Sequence, residues 1–473
     1  MTTSTTTILQ TKKSKEKLTP KAVAKKTLIT LGVFAFWILV WQIVYIIVGK
    51  EIIIPSPYST AKRIWELIFT ASFWRITASS VLRILAGYLC GVAVGVVLAV
   101  LTNLSQLIYA LLRPVISIAR ATPVASLTVI IIVWVTNRQV PLFIVGLMVF
   151  PIIWGNTFEG IKNTDKKLLE MSRSFSVSRL SVLLHVYVPS VYPYFIAGAS
   201  ASLGLAWKSG IAAEILGSTQ GSVGQQLNDA KVYLDSQGKF AWTVVVIVLS
   251  IIFERLIISL LRKTSLHIPV KAKTPSLCCA EDVSGQGFAS VEGVSKSFGE
   301  KSVLRNLTAS VNNGDVAAVR GVSGAGKTTL LMILSGLMKP DEGSVYSSGS
   351  VSFLFQEDRL LPWLTVRENI LFVNPCADAD KLLGMMELEG TQDMYPEELS
   401  GGMKRRLAIA RTLAGKGEVV FLDEPFTGLD EELRNLVAQR VFAYLRGRAV
   451  AFITHDSEEA TEFATKEIYI DSI

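Results

Sequence analysis

Long apolar runs separated by short polar ones fill the chain from residue 27 to about 261, and the pattern changes beyond residue 286. A bilayer core is crossed by about 20 consecutive, mostly apolar helical residues. Segments of that kind are Leu28–Val48, Ala78–Leu101, Leu142–Phe158, Val191–Leu216 and Phe240–Leu261. A sixth, Val115–Val135, is interrupted by Arg120 and Pro123 and turns strongly apolar from Leu127. The expectation is about six transmembrane helices. Gly87, Gly91 and Gly95 recur at every fourth position, which gives the second span a smooth strip for close helix packing, within the chain or with a second copy. Past residue 286 the apolar runs shorten to Asp315–Arg320, Val419–Leu422 and Ala449–Thr454, the lengths of buried parallel strands. The predicted fold is therefore multi-domain: an all-α polytopic membrane domain and a soluble α/β domain. We expect a tail over 1–26, a membrane domain over 27–263, a polar linker over 264–286 and the soluble domain over 287–473.

Composition agrees with the split. Half of the 473 residues are hydrophobic and 18% are charged, against about 25% charged in soluble globular chains. The net charge of +8 acquires a meaning only from its location. Lys12, Lys13, Lys15, Lys17, Lys21, Lys25 and Lys26 face only Glu16 in the tail, a pattern that suits anionic lipid on the cytosolic side. A nucleic-acid partner is not expected, because a long apolar helix follows at once. Arg113, Arg120, the Lys162–Arg179 loop, Arg262, Lys263, Lys271 and Lys273 fall on the same side as the tail if there are six spans. The positive-inside bias thus places both ends of the membrane domain in the cytosol. Leu28–Val48 is too long for the core of a signal peptide, and no small-residue cleavage site follows it. Cys90, Cys278, Cys279 and Cys376 have no metal spacing and are expected as thiols.

Candidate chemistry lies in the soluble half. A short strand runs into Gly321-Val322-Ser323-Gly324-Ala325-Gly326-Lys327-Thr328, and a helical stretch from Thr329 follows. This is the strand–loop–helix setting of a phosphate-binding loop. Its glycines let backbone N–H groups approach phosphate, and the helix N-terminus adds partial positive charge. Lys327 can reach the β- and γ-phosphates of ATP, and the Thr328 hydroxyl can ligate Mg²⁺. The strand Val419–Leu422 delivers Asp423 and Glu424 to its C-terminal end, where ligands sit in open α/β sheets. Asp423 is the candidate for Mg²⁺ and Glu424 the candidate base for the attacking water. His455 ends the third strand, placed to contact the γ-phosphate.

Leu399-Ser400-Gly401-Gly402-Met403-Lys404-Arg405 opens a helix with a second set of anion-binding features, although one ATP needs one phosphate cradle. The segment resembles the signature of ATP-binding-cassette proteins, in which the second cradle serves the ATP of the opposite subunit. That resemblance spans residues 286–473. It implies that Phe298 stacks on adenine, that Gln356 takes part in Mg²⁺ binding and coupling, and that Asp430 lies at a dimer contact. The intervals Lys327–Gln356 and Gln356–Ser400 look short for the family, which implies trimmed accessory subdomains.

Glu170, Ser176 and Pro189 in the loop after the fourth span resemble the coupling loop of binding-protein-dependent importers. Ser176 stands where that family carries Gly, and Met171-Ser172 where it carries Ala-Ala. Pro55-Ser56-Pro57, Arg113-Pro114 and Gly204–Glu214 resemble permeases of the nitrate, sulfonate and taurine group. Together the resemblances imply an ATP-hydrolysing importer built from two such chains, or from this chain and a homologous half. A small solute would be delivered by an external solute-binding protein. A cassette exporter would not be expected to carry the Glu170–Pro189 spacing, and a membrane-anchored regulatory ATPase normally needs few spans. Lys208 stands inside a span, where charge is expensive and often functional. It can favour an anionic substrate, pair with another charge, or snorkel to an interface, and Glu214 lies on a different helical face.

Overall fold

The computed structural model describes residues 20–263, 268–272, 287–454 and 456–470. The basic tail up to residue 19, most of the linker, and His455 lie outside the described residues. The chain divides into two compact units, Met1–Phe158 with Ile196–Lys263 and Glu159–Phe195 with Thr264–Ile473.

The first unit is all helical. It contains α1 (Pro20–Val48), α2 (Pro57–Ile68), α3 (Ala71–Leu104), α4 (Gln106–Ala121) and α5 (Val124–Ile132). The major part of α6 (Val140–Lys162) follows, then most of α9 (Val188–Leu216), α10 (Val223–Val232) and α11 (Ser236–Lys263). Side-chain oxygens stop and start these helices. Ser56 accepts from the Ser59 N–H at 3.0 Å to cap α2, and Ser105 both ends α3 and caps α4. Among the described residues five helices are long and apolar enough to cross a membrane, and the pair α4–α5 makes a sixth if it is one broken span. The pair bends by 105°. Thr122 precedes a proline and is driven to extended backbone (φ −78°, ψ 127°), while Pro123 has no N–H to continue the helix.

The glycine strip of α3 is used within the chain. A Cβ on Gly87 would lie 2.7 Å from the Leu142 carbonyl, one on Gly91 2.9 Å from that of Gly146, and one on Gly95 2.8 Å from that of Phe150. The backbones of α3 and α6 therefore approach too closely for any larger residue. Glu214 on α9 is fully buried and accepts from Ser80 Oγ at 2.9 Å and from the Gly224 N–H at 3.0 Å. Arg83 lies 3.6 Å away, so the acid ties α3, α9 and α10 together.

The second unit holds two sheets. β1 (Phe288–Phe298), β2 (Lys301–Val311) and β4 (Glu342–Ser348) form an antiparallel sheet in the order β2-β1-β4. β3 (Val316–Arg320), β5 (Val351–Leu354), β6 (Val419–Asp423), β7 (Ala449–Ile453) and β8 (Lys466–Tyr469) form a parallel sheet in the order β5-β6-β7-β3-β8. Every residue of β6 and β7 is buried, as expected for strands covered on both faces. The helices are α12 (Lys327–Leu334), α13 (Val366–Val373), α14 (Ala379–Met385), α15 (Gly401–Ala414), α16 (Glu431–Tyr444) and α17 (Ser457–Phe463). The short intervals noted in the sequence contain two strands, β4 and β5, and three brief α-helices, α12, α13 and α14. Cys90 is a free thiol, but Cys376 is disulfide-bonded, contrary to the expectation of thiols throughout.

The Glu159–Phe195 segment belongs to this second unit. It carries α7 (Lys166–Ser174), α8 (Arg179–Val182), a wide π-type turn over Leu183–Tyr187, and the start of α9. Leu168, Met171, Phe175 and Val186 are buried in the same hydrophobic core as β3, β5 and β6.

Candidate functional site

Parallel strands place their C-terminal ends on one edge, and three described candidate groups emerge there. After β3 the backbone turns through Gly321 (φ +153°), Gly324 (φ +83°) and Gly326 (φ +96°), a left-handed sequence that side chains disfavour. A Cβ at Gly326 would lie 2.7 Å from Val303 Cγ1. Ala325 is buried against the core, while Ser323 and Gly324 face solvent. Lys327 opens α12 with its ammonium folded onto the loop, donating to the Gly321 carbonyl at 2.8 Å and the Val322 carbonyl at 3.0 Å. Thr328 Oγ1 donates to Asp423 Oδ2 at 2.9 Å, and Thr329 is half-buried behind it.

Asp423, at the end of β6, is 1% exposed, and its Oδ1 has no hydrogen-bond partner. Burial raises its carboxyl above the ordinary range, the Thr328 bond opposes that, and neighbouring Glu424 adds to it. A buried carboxylate oxygen left open beside a threonine hydroxyl suits a hard divalent cation. The residues present thus fit Mg²⁺, with Thr328 and Asp423 as its protein donors. Glu424 holds a left-handed backbone (φ +47°), unusual for a non-glycine residue, and its Oε2 accepts from Thr427 at 3.4 Å. A cleft of about 150 Å³ opens between Glu424, Thr427, Thr454 and Glu459.

Gln356 is exposed two residues beyond β5, and Phe298 is 51% exposed with the Lys296 ammonium 5.8 Å from its ring. Ser400 caps α15 by accepting from the Met403 N–H at 3.3 Å. Gly402 packs near Leu429 and Gly428, and Asp430 begins α16 on the surface. No hydrogen bond among the described residues links Ser400, Gly401 or Gly402 to the Lys327 loop.

Arg405 is the residue that sequence reasoning passed over. It is 5% exposed, and it donates to the carbonyls of Phe355, Gln356, Asp423, Glu424 and Pro425 at 2.6–3.1 Å. One guanidinium therefore ties the strand ends bearing Gln356 and Asp423–Glu424 together. Burial lowers its pKa, and Asp358, Asp423 and Glu424 push it back up. Arg411, two turns along α15, is 1% exposed and holds the carbonyls of Asp358 and Arg359 at 2.7 and 2.8 Å. Burial brings its pKa down to about 10. The available signal was arginines bordering and interrupting the apolar helical run Leu407–Ala414.

The Glu170 segment has its own set of contacts within this unit. Glu170 Oε2 accepts from Arg359 at 3.0 Å, and Lys167 meets Glu357 at 2.6 Å. Arg359 also lies 3.6 Å over the Phe355 ring. Ser176 has φ +51°, the conformation for which glycine is favoured. Its N–H donates to the Arg173 carbonyl and the Val177 N–H to the Ser172 carbonyl, both at 3.0 Å, which closes α7 with a Schellman motif. Pro189 has no N–H to offer the His185 carbonyl one helical turn back. Trp363 Nε1 donates to that carbonyl instead, at 2.7 Å.

Residues 304–427 match the family described as ABC transporter. Residues 91–265 match the binding-protein-dependent transport system inner membrane component. The chain is 39% identical over 197 residues to the aliphatic sulfonates import ATP-binding protein SsuB 1 of Shouchella clausii, covering 40% of this chain and 80% of that protein. It is 35% identical over 204 residues to the probable sulfate/thiosulfate import ATP-binding protein CysA of Chlorella vulgaris, covering 38% and 86% respectively. This chain belongs to the ABC transporter family. It is an ABC transporter with permease and ATPase fused in one polypeptide, an enzyme that hydrolyses ATP to drive transport. The ATPase match takes in the Lys327 loop, Gln356, the Ser400 turn and Asp423–Glu424, and the permease match takes in Glu170–Pro189 and Lys208.

Proposed function

We propose that two copies of this chain form an importer, with residues 27–263 as permease and 287–473 as ATPase. It carries a small anion of the nitrate, sulfonate or taurine type across the cytoplasmic membrane, delivered by an extracytoplasmic solute-binding protein. The N-terminus and the ATPase lie in the cytosol. Lys327 holds the β- and γ-phosphates, with Ser323–Thr329 as their cradle and Phe298 against the adenine. Thr328 and Asp423 are the Mg²⁺ donors, with Gln356 beside them. Held there, Mg²⁺ would supply positive charge against the nucleotide phosphates. Glu424 polarises the attacking water, and His455 contacts the γ-phosphate. Ser400, Gly401 and Gly402 of one copy close over the nucleotide of the other, with Asp430 at the contact. The resulting motion reaches the permease through Glu170–Pro189.

The observation that carries the import direction is the Glu170 segment itself. Its acid is paired with Arg359, three residues beyond Gln356, and its proline leaves a carbonyl that Trp363 fills. The relatives, a sulfonate and a sulfate/thiosulfate import protein, support the same direction and an anionic cargo. The test is uptake of labelled ethanesulfonate, taurine and nitrate into proteoliposomes with ATP on the ATPase side, with and without the cognate binding protein. Uptake that needs both is expected, and ATP-driven efflux without the binding protein would overturn the reading.

A further inference from the structure

Lys208 is the one charged side chain in the α9 span that the ion pairs described above leave unexplained. We propose that it is an anion-binding residue on a water-lined solute path through the permease; this rests on the importer reading above.

Three observations lead there. Lys208 is exposed while its neighbours Trp207, Ser209 and Gly210 are buried, and it makes no hydrogen bond or ion pair among the described residues. The nearest acid in the same span, Glu214, is fully buried and held by Ser80, Gly224 and Arg83, so it is not the counter-charge. Position along the helix argues against snorkelling toward the C-terminal end. Lys208 lies eight residues before Leu216, about 12 Å along the axis at 1.5 Å per residue. Helical side chains tilt toward the N-terminus, which sends this ammonium away from the nearer end of the span.

The surrounding face is not made for lipid. Ala197 and Ala201 are exposed on it, Gly204 lies one turn before Lys208, and a Cβ on Gly204 would meet nothing within 4 Å. An uncompensated ammonium against hydrocarbon costs several kcal/mol, whereas in a polar path it attracts anions and repels cations. A monovalent oxyanion or sulfonate is the ligand class that this single cation fits.

Open space at Gly204 supplies a reporter. Gly204→Cys is reacted in the full-length transporter with two water-soluble thiol reagents, sulfonatoethyl and trimethylammonioethyl methanethiosulfonate, and site labelling is read by mass spectrometry. Cys90, exposed on α3, is the comparator in the same sample. The expected anionic-to-cationic rate ratio falls about tenfold when Lys208 becomes Met, the effect of one unit charge about 6 Å away in water-like surroundings. Lys208→Arg is expected to restore it. A ratio unchanged by Lys208→Met, or Gly204→Cys labelled no faster than Cys90 by either reagent, overturns the proposal. The labelling needs no transported substrate. Failed uptake with the expected ratio therefore removes the importer reading and leaves Lys208 as the anion site, and the reverse pattern removes Lys208 alone.

Discussion

Glu170 and Arg359 meet at 3.0 Å, and if force passes between them their removal should be felt as one event. Two unit charges at that separation interact by about 1.4 kcal/mol in water and about 5.5 kcal/mol at an effective dielectric of 20. Glu170 is 48% exposed and Arg359 10% exposed, so solvent screens the pair heavily and about 1 kcal/mol is the working figure. That corresponds to a factor of about five. Glu170→Ala is expected to lower solute taken up per ATP hydrolysed by about fivefold, with ATP binding unchanged. Arg359→Ala should lower it further, because this side chain also covers Phe355 and reaches the Lys167 carbonyl. The double variant should then be no worse than Arg359→Ala, since the pair is already broken. The assay is a double-mutant cycle in proteoliposomes, with uptake and phosphate release measured on the same sample. If the two single effects multiply in the double variant to within about twofold, the residues act independently and the pairing carries no coupling.

Other variants probe single groups. Glu424→Gln should keep ATP binding and nearly stop phosphate release; turnover at the unmodified rate refutes the base assignment. Ser400→Arg should abolish ATPase activity in homodimers yet leave part of it in mixed dimers with the unmodified chain, and mixed dimers that match wild type at every ratio would refute a shared site. Ser176→Gly should relieve a left-handed backbone and stabilise the α7 end by about 0.5–1 kcal/mol, read as slower amide exchange over residues 172–178. Unchanged or faster exchange there contradicts the strain argument. Trp363→Phe keeps the ring but leaves the His185 carbonyl without its indole donor. The expected loss of about 1–2 kcal/mol should appear as faster exchange across 183–190, and no change would mean that another donor replaces it.

Two kinds of information were legible in the chain alone. Span lengths follow from run lengths, because a bilayer accepts little besides helices of fixed length. The Lys327 loop, Asp423–Glu424 and the Ser400 turn are local objects: each needs only a strand end, a few small residues and a helix start, all contiguous in sequence. Ser176 belongs here too, since its substitution for glycine already pointed to a turn that the backbone does adopt.

What the tertiary structure decided involves groups far apart in the chain. Arg405 looked like one basic residue in a signature, yet folding surrounds it with five carbonyls from two strand ends. The span around Pro123 read as one helix with a flaw and proved to be two, bent by 105°. The strip at Gly87, Gly91 and Gly95 suited either a second copy or this chain, and the close approach of α6 assigned it to this chain. Glu214 and Lys208 were two charges in one span with open partners. Ser80, Gly224 and Arg83 claimed the acid and left the lysine without it. Periodicity records which residues avoid water, but a buried charge is satisfied by whatever the fold brings within 3 Å, and no local pattern encodes that.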